Sequence, residues 1–388
     1  MVAHAESRQA FNETLGDWRW RLNNLYWITD KEGRRAKFQM NWAQEALFDE
    51  MHYLNVILKA RQLGFTTFIQ IFMLDQCLFN SNIRAGTIAH RLEDAQAIFR
   101  DKVKYPYDQL PEWIRAAIPI VKDSAAELLF ANNSSIRVST SHRSGTLNYL
   151  HISEYGKLCA RHPEKAREVR TGALNTLLHG QVAFIESTAE GQEGHFFELC
   201  QQGQAKVRMG TKLTPLDFRF FFFPWWRNPE YEIDPEAVAI PENYARYFEK
   251  LKQTRGIKLS HSQQAWYCKK AETQLSDMKR EYLSTPEEAF EASIEGAYFA
   301  DQMAAAELQG RIGEHCILPD VPVNTAWDIG VGDYTSIWLW QQMRGKIGLV
   351  GYFQNCGEGM PHYVECLKDF RRRTGCTYGT HIFPHVSE

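Results

Sequence analysis

Between residues 54 and 215 the chain alternates short apolar runs with longer stretches in which apolar side chains recur every three or four positions. Apolar runs without strict polar alternation suit strands buried on both faces, and the spacing between them suits helices packed on a sheet. Strands are expected at LNVILKA (54–60), AGTIAH (85–90), SSIRVST (134–140), LNYLHIS (147–153) and QVAFIES (181–187). The richest run, FRFFFFPWW (218–226), is too short to span a bilayer and reads as a further buried strand closed by Pro224. Helices are expected after GFTT and across HRLEDAQAIFRDKV and PEKAREVRTGALNTLL. The fold class that follows is α/β with a mainly parallel sheet.

From about 228 to 312 the pattern turns helical and charged, as in ENYARYFEKLKQ and QQAWYCKKAETQLSDMKREYL. Within it, STPEEAF (284–290) marks a helix start, with Thr285 as cap, Pro286 in the first turn and Glu288 spaced to close a capping box. A second strand-rich stretch follows at NTAWDIG (324–330), TSIWLWQ (335–341) and IGLVGYFQN (347–355), then a helix and THIFPHVSE. Three strands and a helix amount to half a domain, so the expectation is a chain that stops early. The expected division is 1–227, a helical linker over 228–315, and a partial domain over 316–388.

Composition narrows the function. A chain of 388 residues exceeds what one core ordinarily serves, which fits two domains. A net charge of -3 removes the simple electrostatic case for an autonomous nucleic-acid binder, so any DNA contact must be local or assembled from several subunits. Eight cysteines lie scattered without a C-x-x-C pair, as free thiols in a reducing compartment would. The start, MVAHAESRQAFNE, lacks a signal-peptide pattern, and no membrane segment is expected.

Chemistry gathers at the ends of the expected strands. VILKARQLGFTTF supplies a strand, a glycine turn at Gly64, and the hydroxyl of Thr66 opening a helix, the parts of a phosphate-binding loop. Phe65 stands where such a loop carries its lysine, and Lys59 where it carries its first glycine. Lys59 or Arg61 could supply the missing charge, and an ordinary strand-turn-helix fits the same residues. NYLHISEYGK ends its apolar stretch at Ser153 and Glu154, with Glu154 fitting a water-polarising carboxylate and Ser153 standing where an aspartate is usual. A solvated glutamate is the plain alternative. VAFIESTAEG finishes in Ser187, Thr188 and Ala189, small and hydroxylated enough to sense a γ-phosphate or simply to turn. His90 and His151 at strand ends read as structural, and Arg143 as a solvated loop arginine or a phosphate contact.

Taken in order, these strings resemble the large terminase subunits of tailed bacteriophages, the motors that package DNA into procapsids. NLYWITDKEGRRAKFQMNWAQ is similar to the family's opening segment, in which Gln44 would read the adenine. KARQLGFTT resembles a deviant Walker A loop, with Lys59, Arg61, Gln62, Leu63, Gly64, Phe65, Thr66 and Thr67 around the nucleotide and Arg61 at the position of a catalytic arginine. LHISEYGK resembles the Walker B strand with Glu154 catalytic, ESTAEG the coupling motif (Ser187, Thr188, Ala189), and STPEEAF the segment leading out of the ATPase. The resemblance implies ATP and Mg²⁺ on Thr66, a P-loop ATPase domain, and a following RNase H-like nuclease domain using Mg²⁺ or Mn²⁺.

AWDIGVGDYTSIW is similar to the first nuclease strand, with Asp328 as leading metal ligand and Asp333 nearby, although a turn-capping aspartate fits Asp328 as well. HIFPHVSE resembles the family's Pro-His-Asp site with Val386 in place of the aspartate, and Glu358 lies in a loop, so cleavage is expected to be impaired. Implied partners are double-stranded DNA, the portal protein and the small terminase subunit, with a ring on the portal, a monomer in isolation, and the host cytoplasm as location. A helicase-like DNA translocase and an inactive prophage remnant that only binds partners are the competing readings.

Overall fold

The computed structural model describes residues 13–141, 145–291, 317–330, 334–343 and 345–384, with isolated positions between 302 and 313. Asp333, Arg143 and Val386 lie outside the described residues. The chain divides into two compact units, Met1–Gly296 and Ala297–Glu388.

The first unit is organised by an eight-stranded sheet. In chain order its strands are β1 (Leu54–Lys59), β2 (Arg84–Ile88), β3 (Ile120–Asp123), β4 (Glu127–Phe130), β5 (Ser135–Ser139), β6 (Leu147–Ser153), β7 (Leu177–Ser187) and β8 (Phe218–Phe223). They lie side by side as β8-β1-β7-β6-β2-β5-β4-β3. The six from β8 to β5 are parallel, and β4 and β3 extend the sheet antiparallel. This agrees with the expected mainly parallel α/β sheet and adds two short strands that the apolar pattern did not announce.

Alternate residues of the central strands enter different cores. Ile57 and Phe184 join one apolar cluster, while Val56, Leu58, Ile152 and Ile185 join another, so both faces of the sheet are covered. Helix α1 (Trp42–Glu50) precedes β1, and α2 (Phe65–Phe79) follows it. Helix α2 is buried almost all round, and its buried Asp75 pairs with Arg21 at 2.7 Å and accepts a hydrogen bond from the Tyr26 hydroxyl at 2.8 Å. Helix α3 (Tyr155–Arg161) continues from β6, and α4 (His195–Arg208) from β7.

In its described residues, up to Glu291, the charged helical stretch belongs to the first unit. Phe248 of α5 (Glu242–Arg255) and Tyr267 of α6 (His261–Gln274) bury in the same cluster as Ile57. At its end the Thr285 hydroxyl accepts the Glu288 N–H at 3.2 Å, the cap expected from sequence. The reciprocal half of the box differs, because the Glu288 carboxylate goes instead to the Tyr247 hydroxyl at 2.8 Å and Lys279 at 3.1 Å.

The second unit carries a four-stranded sheet of β9 (Val323–Asp328), β10 (Tyr334–Met343), β11 (Lys346–Cys356) and β12 (Tyr378–Ile382), ordered β11-β10-β9-β12. The first three strands are antiparallel neighbours, and β12 joins β9 in parallel. Helix α7 (Met360–Thr374) packs Tyr363, Leu367 and Phe370 with Trp327, Ile337 and Leu339. Only part of this sheet is covered: β10 alternates buried and open positions, and Trp338 and Tyr352 remain substantially exposed.

Candidate active site at the carboxyl edge of the large sheet

Strand register brings the site together. β7 lies between β1 and β6, with Ile57 opposite Glu186 and Glu186 opposite Ser153. The carboxyl ends of the three strands therefore deliver Lys59, Glu186 and Ser153–Glu154 to one edge, where ligands bind in open parallel sheets.

The loop leaving β1 is sharply bent. Ala60 donates its N–H to Phe223 at 2.8 Å, after which Gln62 (φ 60°) and Gly64 (φ 73°) adopt left-handed backbone and Phe65 opens α2. Gly64 suits the positive φ, and a Cβ there would stand 2.7 Å from Gln44 Nε2 and displace that amide from the loop. No side chain caps the first turn of α2. Its leading N–H groups thus lie at the positive end of a long helix with no side-chain acceptor, an arrangement suited to an anion.

The loop is held from behind. Asn41 and Gln44 close a capping box at the start of α1, and the same two side chains reach the loop: Asn41 Nδ2 donates to Leu63 O at 3.0 Å, and Gln44 Nε2 to Gly64 O at 2.8 Å. Gln44, expected at the adenine, is buried here with both ends of its amide engaged in protein contacts. Leu63 and Phe65 are buried, the Phe65 ring resting 4.7 Å from Phe223. Thr67 is half-buried beside Thr66.

Lys59 is the cation of this edge. Its ammonium lies 3.2 Å from Glu154 Oε1 and 3.2 Å from Glu186 Oε2, with the side chain only 8% exposed. Burial alone would lower its pKa, but the two carboxylates outweigh burial and hold the amine well above its ordinary range. Glu186 is fully buried. Burial pushes its carboxyl up, yet Lys59 and the hydrogen bond with His151 prevail and keep it well below the usual carboxylate range. Its Oε1 accepts from Thr66 Oγ1 at 2.9 Å and Ser153 Oγ at 2.9 Å, and lies 3.3 Å from His151 Nε2. His151 is in turn fixed by Gln70 Nε2 at 2.8 Å from its Nδ1, and Gln70 by Thr87. His151 is structural, as expected, but what it supports is this carboxylate.

Glu154 caps α3 in left-handed backbone, φ 53° and ψ 44°. A glutamate held there costs about 1–3 kcal/mol, a strain typical of functional positions. The bend turns the carboxylate back over the edge, with one oxygen at Lys59 and the other 3.3 Å from Lys157 Nζ. Next door, the hydroxyls of Ser187 and Thr188 are buried without a hydrogen-bond partner, and Ala189 is fully buried. Each such orphan costs about 1–3 kcal/mol unless something binds it. Gly156 lets α3 approach this closely, since a Cβ there would lie 2.8 Å from Ser187 Oγ.

Lys59, Thr66, Glu154 and Glu186 thus converge, while Arg61 does not join them. Its half-exposed guanidinium turns away to Glu281 Oε2 at 2.9 Å, and its N–H bonds Glu281 O at 2.9 Å. From Glu281 the charges continue through Arg280 at 3.6 Å to Glu190 at 3.0 Å, linking the loop to the turn after β7. Burial raises the Glu190 carboxyl above its ordinary range despite Arg280.

Glu186 was not singled out in the sequence. Its signal was a carboxylate inside an apolar strand, a position that demands a partner. In the second unit Asp328 sits exposed at the end of β9, and Glu358 is exposed before α7. Among the described residues no group of three or more His, Cys, Asp or Glu side chains is placed to hold a metal ion. Among them, too, no helix is long and apolar enough to cross a membrane.

No protein-family model matches the chain, and no curated protein matches it. Solved structures are similar in part. The large terminase ATPase domain of Thermus phage P74-26 matches at 16% identity and a TM-score of 0.40, over 63% of this chain and 93% of that one. The large terminase of a thermophilic bacteriophage in complex with ATP-γ-S matches at 12% identity and a TM-score of 0.36, over 88% and 76%. The Phi-28 gp11 DNA packaging motor matches at 9% identity and a TM-score of 0.31, over 88% and 93%. Likeness at this level carries no weight for the chemistry, which rests on the geometry of the site.

Proposed function

We propose that the carboxyl edge of the large sheet is an ATP-hydrolysing site and that the chain is a packaging motor driving double-stranded viral DNA into a procapsid. One observation supports the ATPase reading above all: Lys59, Thr66, Glu154 and Glu186, from three adjacent strands and the helix after the first, lie within hydrogen-bonding or ion-pair distance at the head of a helix that no side chain caps. Packaging of DNA follows from the resemblance of the KARQLGFTT, LHISEYGK and ESTAEG strings to large terminases.

In this reading the phosphates lie against the backbone of residues 62–67, and Gln44 couples the adenine side to the loop it already holds. Lys59 exchanges a carboxylate for the γ-phosphate, which leaves Glu154 free to take a proton from water. The water oxygen bonds to the γ-phosphorus as the bond to the bridging oxygen breaks, and ADP leaves with that electron pair. Ser187 and Thr188 report the γ-phosphate to the turn carrying Glu190, and through Arg280 and Glu281 to Arg61. Arg61, half-exposed and paired with Glu281, would have to leave that carboxylate to serve as the expected catalytic arginine. The hard oxygens of Thr66 and its neighbours fit Mg²⁺, and among the described residues the buried Glu186 Oε2 has no hydrogen-bond partner beside the Lys59 ion pair. When bound, the ion would neutralise charge on the phosphate oxygens.

The proposal extends to the portal protein and small terminase subunit as partners, a ring on the portal, and the host cytoplasm as location. Asp328 and Asp333 are proposed as metal ligands of a nuclease site whose cleavage is impaired by Val386 at an acidic position. Steady-state ATP hydrolysis with and without linear double-stranded DNA tests the motor. DNA-stimulated turnover that falls at least about a hundredfold in Glu154→Ala is expected. Absence of both turnover and ATP binding in the wild-type chain would refute it, and strand separation would favour a helicase-like translocase.

A further inference from the structure

We propose that Glu186, on β7, takes the place of the aspartate that a nucleotide site ordinarily carries at the position of Ser153, and orders Mg²⁺ together with Thr66. This rests on the ATPase reading above and names a residue that reading did not need. A phosphate loop shares its metal between a hydroxyl on the first helix and an acidic group on a neighbouring strand. Ser153, one residue before Glu154, brings a hydroxyl and no charge to that second position. Glu186 stands opposite Ser153 in register and accepts the Ser153 hydroxyl at 2.9 Å. β7 is also one strand nearer the loop than β6. From there the longer glutamate reaches the Thr66 hydroxyl at 2.9 Å.

The rest of its environment fits an acid kept for a cation. Glu186 is fully buried, with one oxygen fixed by Thr66, Ser153 and His151. Among the described residues the other oxygen has no hydrogen-bond partner, and it lies 3.2 Å from the Lys59 ammonium. With Gln70 Nε2 donating to His151 Nδ1, the other imidazole nitrogen carries the hydrogen and donates it to Glu186. Thr87, Gln70 and His151 thus form a line of hydrogen bonds that orients one carboxylate, as supporting groups orient metal ligands. A residue serving only to neutralise Lys59 would not need to hold the Thr66 hydroxyl.

The test is equilibrium binding of ATP-γ-S across a Mg²⁺ titration that begins in EDTA, on the full chain and three variants. In the wild type Mg²⁺ should tighten binding. Glu186→Gln should bind as the wild type does in EDTA and require about ten- to a hundredfold more Mg²⁺ to tighten. Ser153→Asp combined with Glu186→Gln should restore the wild-type Mg²⁺ midpoint. Glu186→Asp, which keeps the charge but draws the carboxylate back from Thr66, should raise the midpoint too, and serves if Glu186→Gln does not fold. A wild-type Mg²⁺ midpoint in Glu186→Gln, or in Glu186→Asp where that variant stands in, would overturn the assignment. Failure of the ATPase reading looks different, because the wild-type chain would then bind no ATP-γ-S at any Mg²⁺ concentration.

Discussion

Glu186 at the end of β7 and Asp328 at the end of β9 occupy comparable places at two sheet edges, in opposite surroundings. Glu186 is fully buried among a lysine, two hydroxyls and a histidine, whereas Asp328 is exposed. The cause is the covering of the sheets. Strands β1, β6 and β7 are buried on both faces, so an acid near their ends leaves water and must be partnered by the protein itself. The small sheet keeps open positions along β10 and β11, so an acid at its edge stays hydrated and imposes no order on its neighbours. A preorganised site needs the first kind of edge.

The largest effect that could break this comparison comes from Lys59→Ala. It leaves Glu154 and Glu186 without their shared cation, and about 3–5 kcal/mol of stability should be lost in urea unfolding. A cost near zero would erase the contrast. Acid sensitivity follows. Because Lys59 and His151 hold Glu186 below its unfolded value, its contribution is complete above about pH 4–5 and is lost as the pH falls further into the acid range. Urea midpoints measured down the acid limb should therefore fall more steeply in the wild type than in Glu186→Gln.

Two glycines sharpen the comparison at smaller scale. Gly64→Ala combines a positive φ with a Cβ 2.7 Å from Gln44 Nε2, while Gly345→Ala in the second unit has a positive φ and open space. Gly345→Ala should cost about 1 kcal/mol in thermal unfolding, and Gly64→Ala more than that, with weakened nucleotide binding as well. Smallest of all, Asp328→Ala should change stability by no more than about 0.5 kcal/mol and leave ATP turnover untouched.

Most of the large sheet was legible because strands covered on both faces must be apolar, and β1, β6, β7 and β8 stand within a few residues of the runs LNVILKA, LNYLHIS, QVAFIES and FRFFFFPWW. β3 and β4 escaped because they are short, lie at the antiparallel margin, and carry Lys122, Asp123 and Glu127. In the site, Gly64, Thr66, Glu154, Ser187 and Thr188 were visible as strand-end residues of suitable chemistry. The choice of cation was not, since Lys59 and Arg61 are two residues apart and only the bend at Ala60 sends one inward and the other to Glu281. Glu186 was hidden by the same local view. Its partners lie at positions 59, 66, 151 and 153, and strand order alone brings them together.

On the proposed ATPase reading, Glu154 acts on water at a site which binds ATP without it. The most direct test is a single-turnover experiment with radiolabelled ATP, comparing the wild-type chain with Glu154→Gln. Both proteins should bind ATP with affinities within about threefold, and only the wild type should release phosphate, the variant slowing at least about a hundredfold. Equal rates of phosphate release from the two proteins would contradict the assignment of the site.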